Sequence, residues 1–174
     1  MTEITDSARR QLMKKAGEAA ALFHRTYDGC SQGVLKVLQD HLGLVDGGSF
    51  KAASALVGGI AGMGETCGSL VGGIMAIGLA FGRDKPEPAV GSPGYMRAIM
   101  LSGELCQRFR DELGGTSCRE LQKSLCGRSF DFWDPKQLAE WRRIGGNEKC
   151  RDRIVGRAAE LAAELILANS APNG

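Results

Sequence analysis

The chain has 174 residues, 43% of them hydrophobic and 24% charged, with a formal net charge of +2. That length suits one domain with a core of its own, and the near-neutral charge and absence of basic runs exclude a nucleic-acid-binding surface. Two features are unusual: 25 glycines, about twice the ~7% of an average protein, and six cysteines at positions 30, 67, 106, 118, 126 and 150.

In chain order, apolar residues recur at helical spacing almost throughout. A first helix over 6–25 opens after Thr5 or Asp6 and carries Leu12, Ala16, Ala19, Ala20 and Phe23 on one face. A second begins near Cys30, with Val34, Leu38 and Leu42 on the same stripe as the cysteine. Asp46-Gly47-Gly48 breaks the chain, and Ser49 caps a short helix holding Phe50, Ala53 and Val57. Gly62-Met63-Gly64-Glu65-Thr66 reads as loop and places Cys67 in the first turn of a Gly-rich apolar helix that ends near Gly82. Arg83 to Gly94 is a proline-rich loop, and Ser92-Pro93 reads as N-cap and first helical residue of a long helix that Gly114-Gly115 stops. Ser117 caps a short helix containing Cys118, Leu121 and Leu125; Asp134-Pro135-Lys136-Gln137 opens another over 135–143. A last helix runs from about Asn147 to Asn169, with Cys150, Ile154, Ala158, Leu161 and Leu165 aligned. No strand pattern competes. The expected architecture is a single all-α domain over 1–174, a compact bundle of six to eight helices around the Gly-rich one.

That Gly-rich stretch could be taken for a membrane span. Its uncharged part, Cys67 to Gly82, is shorter than the ~20 residues a spanning helix needs and lacks an aromatic belt. A central helix buried on every side has the same composition. Its glycines, with Gly68 and Gly72 foremost, then serve close helix packing or a backbone laid against a ligand or cofactor. The N-terminal stretch MTEITDSARRQLMKK has no apolar signal region, so a cytoplasmic location is expected. In a reducing compartment cysteines serve catalysis, redox sensing or metal binding more often than structural disulfides, against the plain alternative of small buried hydrophobes. Cys67, at the positive end of its helix, is expected to have a lowered pKa, with Glu65 opposing.

Four of the cysteines carry a resemblance: Cys30 in DGCSQGVLKVL, Cys67 in the block Cys67-Gly68-Ser69-Leu70-Val71-Gly72, Cys118 in SCRELQKSLCG and Cys150 in EKCRDRIVGRAAEL. The pattern resembles the redox-active family named C_GCAxxG_C_C, whose central CGAxxG motif has alanine where this chain has Ser69, and it covers about residues 25–165. The resemblance implies a small helical redox protein of bacteria or archaea, with Cys30, Cys67, Cys118 and Cys150 as site residues. A related segment occurs in split-Soret cytochromes, but covalent haem is excluded because the chain has no Cys-x-x-Cys-His.

Three chemistries remain open for the four. Cys67 attacks and another resolves it, by thiol/disulfide exchange; or all four converge on an iron–sulfur cluster or metal, favoured if each cysteine stands at a helix start; or the cysteines are structural in a non-redox interaction or small-ligand-binding protein. Cys106 and Cys126 read as structural, with Cys126 a candidate auxiliary thiol. His24 and His41 make no metal motif, the glycines at 58–64 lack the Lys-Ser/Thr of a nucleotide-binding loop, and Trp133 and Trp141 pack down the helix between them. The basic cluster of Arg142, Arg143, Lys149, Arg151 and Arg153 is a solvated face or a dock for an acidic partner. The redox partner is unspecified.

Overall fold

The structure is a computed structural model that describes residues 5–170; the first and last four residues of the expected domain lie outside the described residues. Helices account for 72% of it, and no strand or sheet is present among the described residues. The elements are α1 (Asp6–Tyr27), α2 (Cys30–Leu42), α3 (Ser49–Ala52) running into a 3₁₀ turn (Ala53–Leu56), α4 (Gly68–Phe81), α5 (Pro93–Leu113), α6 (Cys118–Cys126), α7 (Pro135–Arg143), α8 (Gly146–Cys150), a π-helical turn (Arg151–Val155) and α9 (Gly156–Asn169).

The capping residues sit where expected. Thr5, Ser92, Ser117 and Asp134 each accept a backbone N–H of the helix they start, with Pro93 and Pro135 as first helical residues. Ser117 and Glu120 complete a reciprocal capping box on α6, satisfying two N–H groups that a helix start leaves unpaired.

The Gly-rich segment is α4, at the centre of the bundle. A Cβ placed on Gly72 would lie 2.5 Å from the Ser31 carbonyl and 3.1 Å from Val34 of α2; one on Gly73 would lie 3.0 Å from Leu105 of α5 and 3.1 Å from Ala162 of α9. Two adjacent glycines thus let α4 approach α2 on one face and α5 and α9 on another. Gly78, by contrast, has open space around it. Leu70, Ala76 and Ile77 of α4 join Leu35, Leu38, Leu105, Phe109, Ala159 and Leu161 in one core. No helix among the described residues is long and apolar enough to cross a membrane.

Two features depart from the helical pattern. Between Val57 and Glu65 the chain makes a left-handed turn in which Gly58, Gly59, Ile60, Ala61 and Gly62 all have positive φ, between 52° and 75°. Each residue bearing a Cβ is held there at a cost of about 1–3 kcal/mol, and for the β-branched Ile60 the conformation is a genuine outlier. The turn persists because backbone hydrogen bonds five or six residues apart determine it: Ala61 N–H to Ala55 O, Gly62 N–H to Val57 O, Gly64 N–H to Gly58 O and Glu65 N–H to Gly59 O, at 2.7 to 3.1 Å. The last helix also begins one residue earlier than expected and includes the π-turn directly after Cys150. Such turns concentrate at functional sites.

Candidate functional site

Cys30, Cys67, Cys118 and Cys150, drawn from segments far apart in sequence, line a single cavity of about 410 Å³. Cys30 is the first residue of α2, Cys118 the first of α6, and Cys67 the N-cap of α4. Cys150 departs from the expected helix-start position: it is the last residue of α8, facing the cavity from within the helical run that starts at Gly146.

The sequence around Cys67 and Cys118 explains their juxtaposition. Cys67 N–H donates to Thr116 O at 2.8 Å, Cys118 N–H to Glu65 O at 2.7 Å and Arg119 N–H to Gly64 O at 3.0 Å. These bonds make an antiparallel bridge between Thr66 and Ser117, and the two cysteines enter their helices from neighbouring points. Arg119 strengthens the clamp by donating to Met63 O at 2.6 Å, and its guanidinium lies 3.7 Å from the Glu65 carboxylate. The left-handed turn packs against the same place: a Cβ on Gly59 would be 2.6 Å from Glu65 N and O and 2.7 Å from Cys118 Cβ.

On the other side, Cys30 Sγ lies against the start of α4, where a Cβ on Gly68 would approach it to 2.6 Å. Gly68 therefore lines the cavity, whereas Gly72 packs one turn deeper against α2. The rest of the wall is largely apolar, with Leu121, Leu125, Phe132 and Leu138, and it carries polar groups from His24, Asn147 and Arg142. Trp141 is buried and donates through Nε1 to Asn147 Oδ1 at 2.7 Å, packing α7 down as expected. Trp133 differs: it is 71% exposed, donates through Nε1 to Ala61 O at 2.9 Å, and closes the left-handed turn over the cavity.

Burial dominates the electrostatics. Cys67 is only 3% exposed. Desolvation, with the nearby Cys30 and Cys118, pushes its thiol up to about 12, although the Leu70 and Ser69 N–H groups at the helix start favour the thiolate. The expected lowering of the Cys67 pKa is thereby overturned: helix-end donors are present, but loss of water outweighs them. Cys118 is raised to about 11 by burial and then by Cys30, with Gln122 opposing. The Cys150 thiol is raised well above its ordinary value by burial and then by Cys67, Cys30, Cys118 and Cys126. Burial also raises Cys30, against backbone donors of Gly58, Ser31 and Cys30. The four sulfurs therefore feel one another as a group.

Two further polar residues belong to this environment. Gln122 is buried, is oriented by accepting Phe130 N–H at 2.6 Å, and donates from Nε2 to Cys118 Sγ at 3.4 Å. Its position four residues after Cys118, on the same helix face, was the available signal. Ser69 Oγ is fully buried without a hydrogen-bond partner. All six cysteines are free thiols. Cys106 lies on α5 and Cys126 at the end of α6, and neither is among the cavity-lining residues.

The family model described as "Putative redox-active protein (C_GCAxxG_C_C)" matches residues 29–165. The chain belongs to this family. The four cysteines that carry the sequence resemblance all line the cavity. No curated protein and no solved structure matches the chain.

Among the described residues, no three His, Cys, Asp or Glu side chains are grouped to hold a single metal ion. A [4Fe–4S] cluster distributes its four thiolates over separate irons and calls for a wider spacing than one ion does. The cavity offers four thiol sulfurs, backbone N–H groups near them and a largely apolar wall.

Proposed function

We propose that the protein is an electron carrier whose Cys30, Cys67, Cys118 and Cys150 together hold an iron–sulfur cluster. The observation that carries this reading is the convergence of all four family cysteines, from four separate segments, on one cavity. A disulfide pair needs neither four thiols nor a space between them.

The electrostatics point the same way. With burial holding its thiol up at about 12, Cys67 stays protonated at neutral pH and is a poor attacking group for exchange. Coordination to iron removes that penalty, because a metal-bound thiol is deprotonated outright. When bound, the cluster would supply reversible one-electron chemistry. The chain's own contribution is to supply the thiolates, aim donors from Gly58, Ser31, Ser69, Leu70 and Gln122 at the sulfurs, and keep water from most of the site. Gly68 supplies the room for Cys30 beside α4.

The test is anaerobic reconstitution with ferrous iron and sulfide, followed by iron and sulfide analysis and visible and electron paramagnetic resonance spectra. Bound iron with a visible band that bleaches under dithionite, lost in each of Cys30→Ser, Cys67→Ser, Cys118→Ser and Cys150→Ser, is the expected result. A colourless, iron-free protein that forms an intramolecular disulfide among these cysteines under mild oxidation would replace this reading with thiol/disulfide exchange.

A further inference from the structure

The cavity of about 410 Å³ has the size of a small-molecule site. Thiols apart, its uncharged polar side chains are those of His24, Gln122 and Asn147 and the indole N–H groups of Trp133 and Trp141. All but one are committed. Gln122 is occupied at both ends, by Phe130 N–H and by Cys118 Sγ. Asn147 accepts from Trp141 Nε1 and donates to Asp28 Oδ1 at 3.5 Å, while Trp133 Nε1 donates to Ala61 O. His24 is the exception. It is only 8% exposed, yet neither of its ring nitrogens has a hydrogen-bond partner among the described residues, whereas His41 pairs with Val37 O through Nδ1.

A polar side chain buried that deeply is paired as a rule, and here the partner has to come from the cavity. The lining says what it is. Burial holds the His24 imidazole below its ordinary 6.5, with Asp28 opposing, so at neutral pH the ring carries one N–H donor and one lone pair. A hydroxyl group meets either nitrogen, whichever holds the proton; a carbonyl meets only the donor. Phe132, Trp133 and Trp141 also line the cavity, Phe132 and Trp141 with ring centroids 5.5 Å apart and planes tilted by 59°. Such faces and edges favour a flat aromatic body. The left-handed turn backs this wall, since a Cβ on Gly58 would lie 3.1 Å from Phe132 Cδ2. Asp28 and Arg142 add one charge of each sign to the lining, a sum that selects no ion.

We propose that the cavity is a binding site for a phenol, an uncharged aromatic ring whose hydroxyl pairs with the His24 imidazole and whose body lies against the aromatic wall of Phe132, Trp133 and Trp141. The assignment rests on the unpaired histidine and that wall, not on the cluster reading.

The test uses p-cresol, p-xylene and p-toluate, which share one frame and differ in a hydroxyl, a methyl and a carboxylate. In calorimetric titrations of the reduced apoprotein, p-cresol is expected to bind at one site about tenfold tighter than p-xylene, whose methyl leaves His24 unpaired. It should exceed p-toluate as well, because a carboxylate loses its water on entering. The chain has two histidines, so proton NMR locates the contact: the His24 ring signal should move with p-cresol and the His41 signal should not. His24→Phe should bind p-cresol and p-xylene alike, and His24→Gln, which keeps a donor and an acceptor, should retain the preference.

Equal binding of p-cresol and p-xylene by the wild type, with water alone serving His24, would overturn the proposal. So would tighter binding of p-toluate, an unmoved His24 signal, or no saturable binding of p-cresol. Iron uptake is scored separately. Binding of p-cresol without iron uptake removes the cluster reading alone, and iron uptake without p-cresol binding removes only the phenol site.

Discussion

Replacing Gly59 with alanine tests how the left-handed turn supports the site. Gly59 has φ of +74°, which costs a residue with a Cβ about 1–2 kcal/mol. The new methyl would also lie 2.6 Å from Glu65 N and O and 2.7 Å from Cys118 Cβ. Two of these neighbours are backbone atoms that no rotamer change can move, so overpacking adds about 1–3 kcal/mol. The sum, about 2–5 kcal/mol, corresponds to roughly 5–20 °C in Tm for a chain of this size. Gly43 provides the control, since it has φ of +67° with nothing within 4 Å of its absent Cβ, and Gly43→Ala should cost only about 1 kcal/mol. The assay is thermal and urea unfolding of both reduced apoproteins by circular dichroism, with iron uptake after reconstitution as the second readout. Gly59→Ala should lose stability in excess of Gly43→Ala and should load iron poorly, because Cys118 is pushed aside. Equal losses in the two variants would refute the contact between the turn and Cys118.

Within α4, Gly72→Ala should destabilise by about 1–3 kcal/mol because its methyl meets the Ser31 carbonyl, whereas Gly78→Ala, in open space, should stabilise by about 0.5–1 kcal/mol; urea unfolding measures both. Gln122→Leu removes the donor to Cys118 and orphans Phe130 N–H, so a loss of about 1–3 kcal/mol is expected in the same assay. The thiols give a pH dependence whose sign is fixed: Cys67 binds its proton more tightly folded, at about 12, than at its ordinary 9.0. Stability of the reduced apoprotein is therefore full below pH 9 and declines as pH rises from 9 towards 12. Urea midpoints between pH 7.5 and 10.5 should fall, and less steeply in Cys67→Ala; identical slopes would contradict the burial argument.

The helical frame was legible because local chemistry writes it. Thr5, Ser92-Pro93, Ser117 and Asp134-Pro135 are start signals that work over three or four residues, and each starts its helix where expected. The grouping of four cysteines could be anticipated from the family pattern, not from spacing. The left-handed turn was not legible: Ile60 and Ala61 have no local preference for positive φ, and hydrogen bonds spanning five or six residues hold them there. The depth of Cys67 was missed for a related reason. A helix end lowers a thiol pKa through nearby donors, which sequence can place, whereas desolvation depends on what the distant α2 and α6 segments cover. Gln122 looks like an ordinary polar residue until the fold brings the Cys118 sulfur to it.

The bridge between Thr66 and Ser117 has a consequence for biogenesis. It joins residues 51 positions apart in a chain that leaves the ribosome from its N-terminus at about 5–20 residues per second. Cys30 and Cys67 can be brought together early, by the pairing of α2 with α4, but the pocket has no complete wall until Cys118 and then Cys150 have been synthesised. An occupant held by all four cysteines could be enclosed only after translation has passed residue 150, which would make its insertion a separate event that the cell can time, supply or withhold.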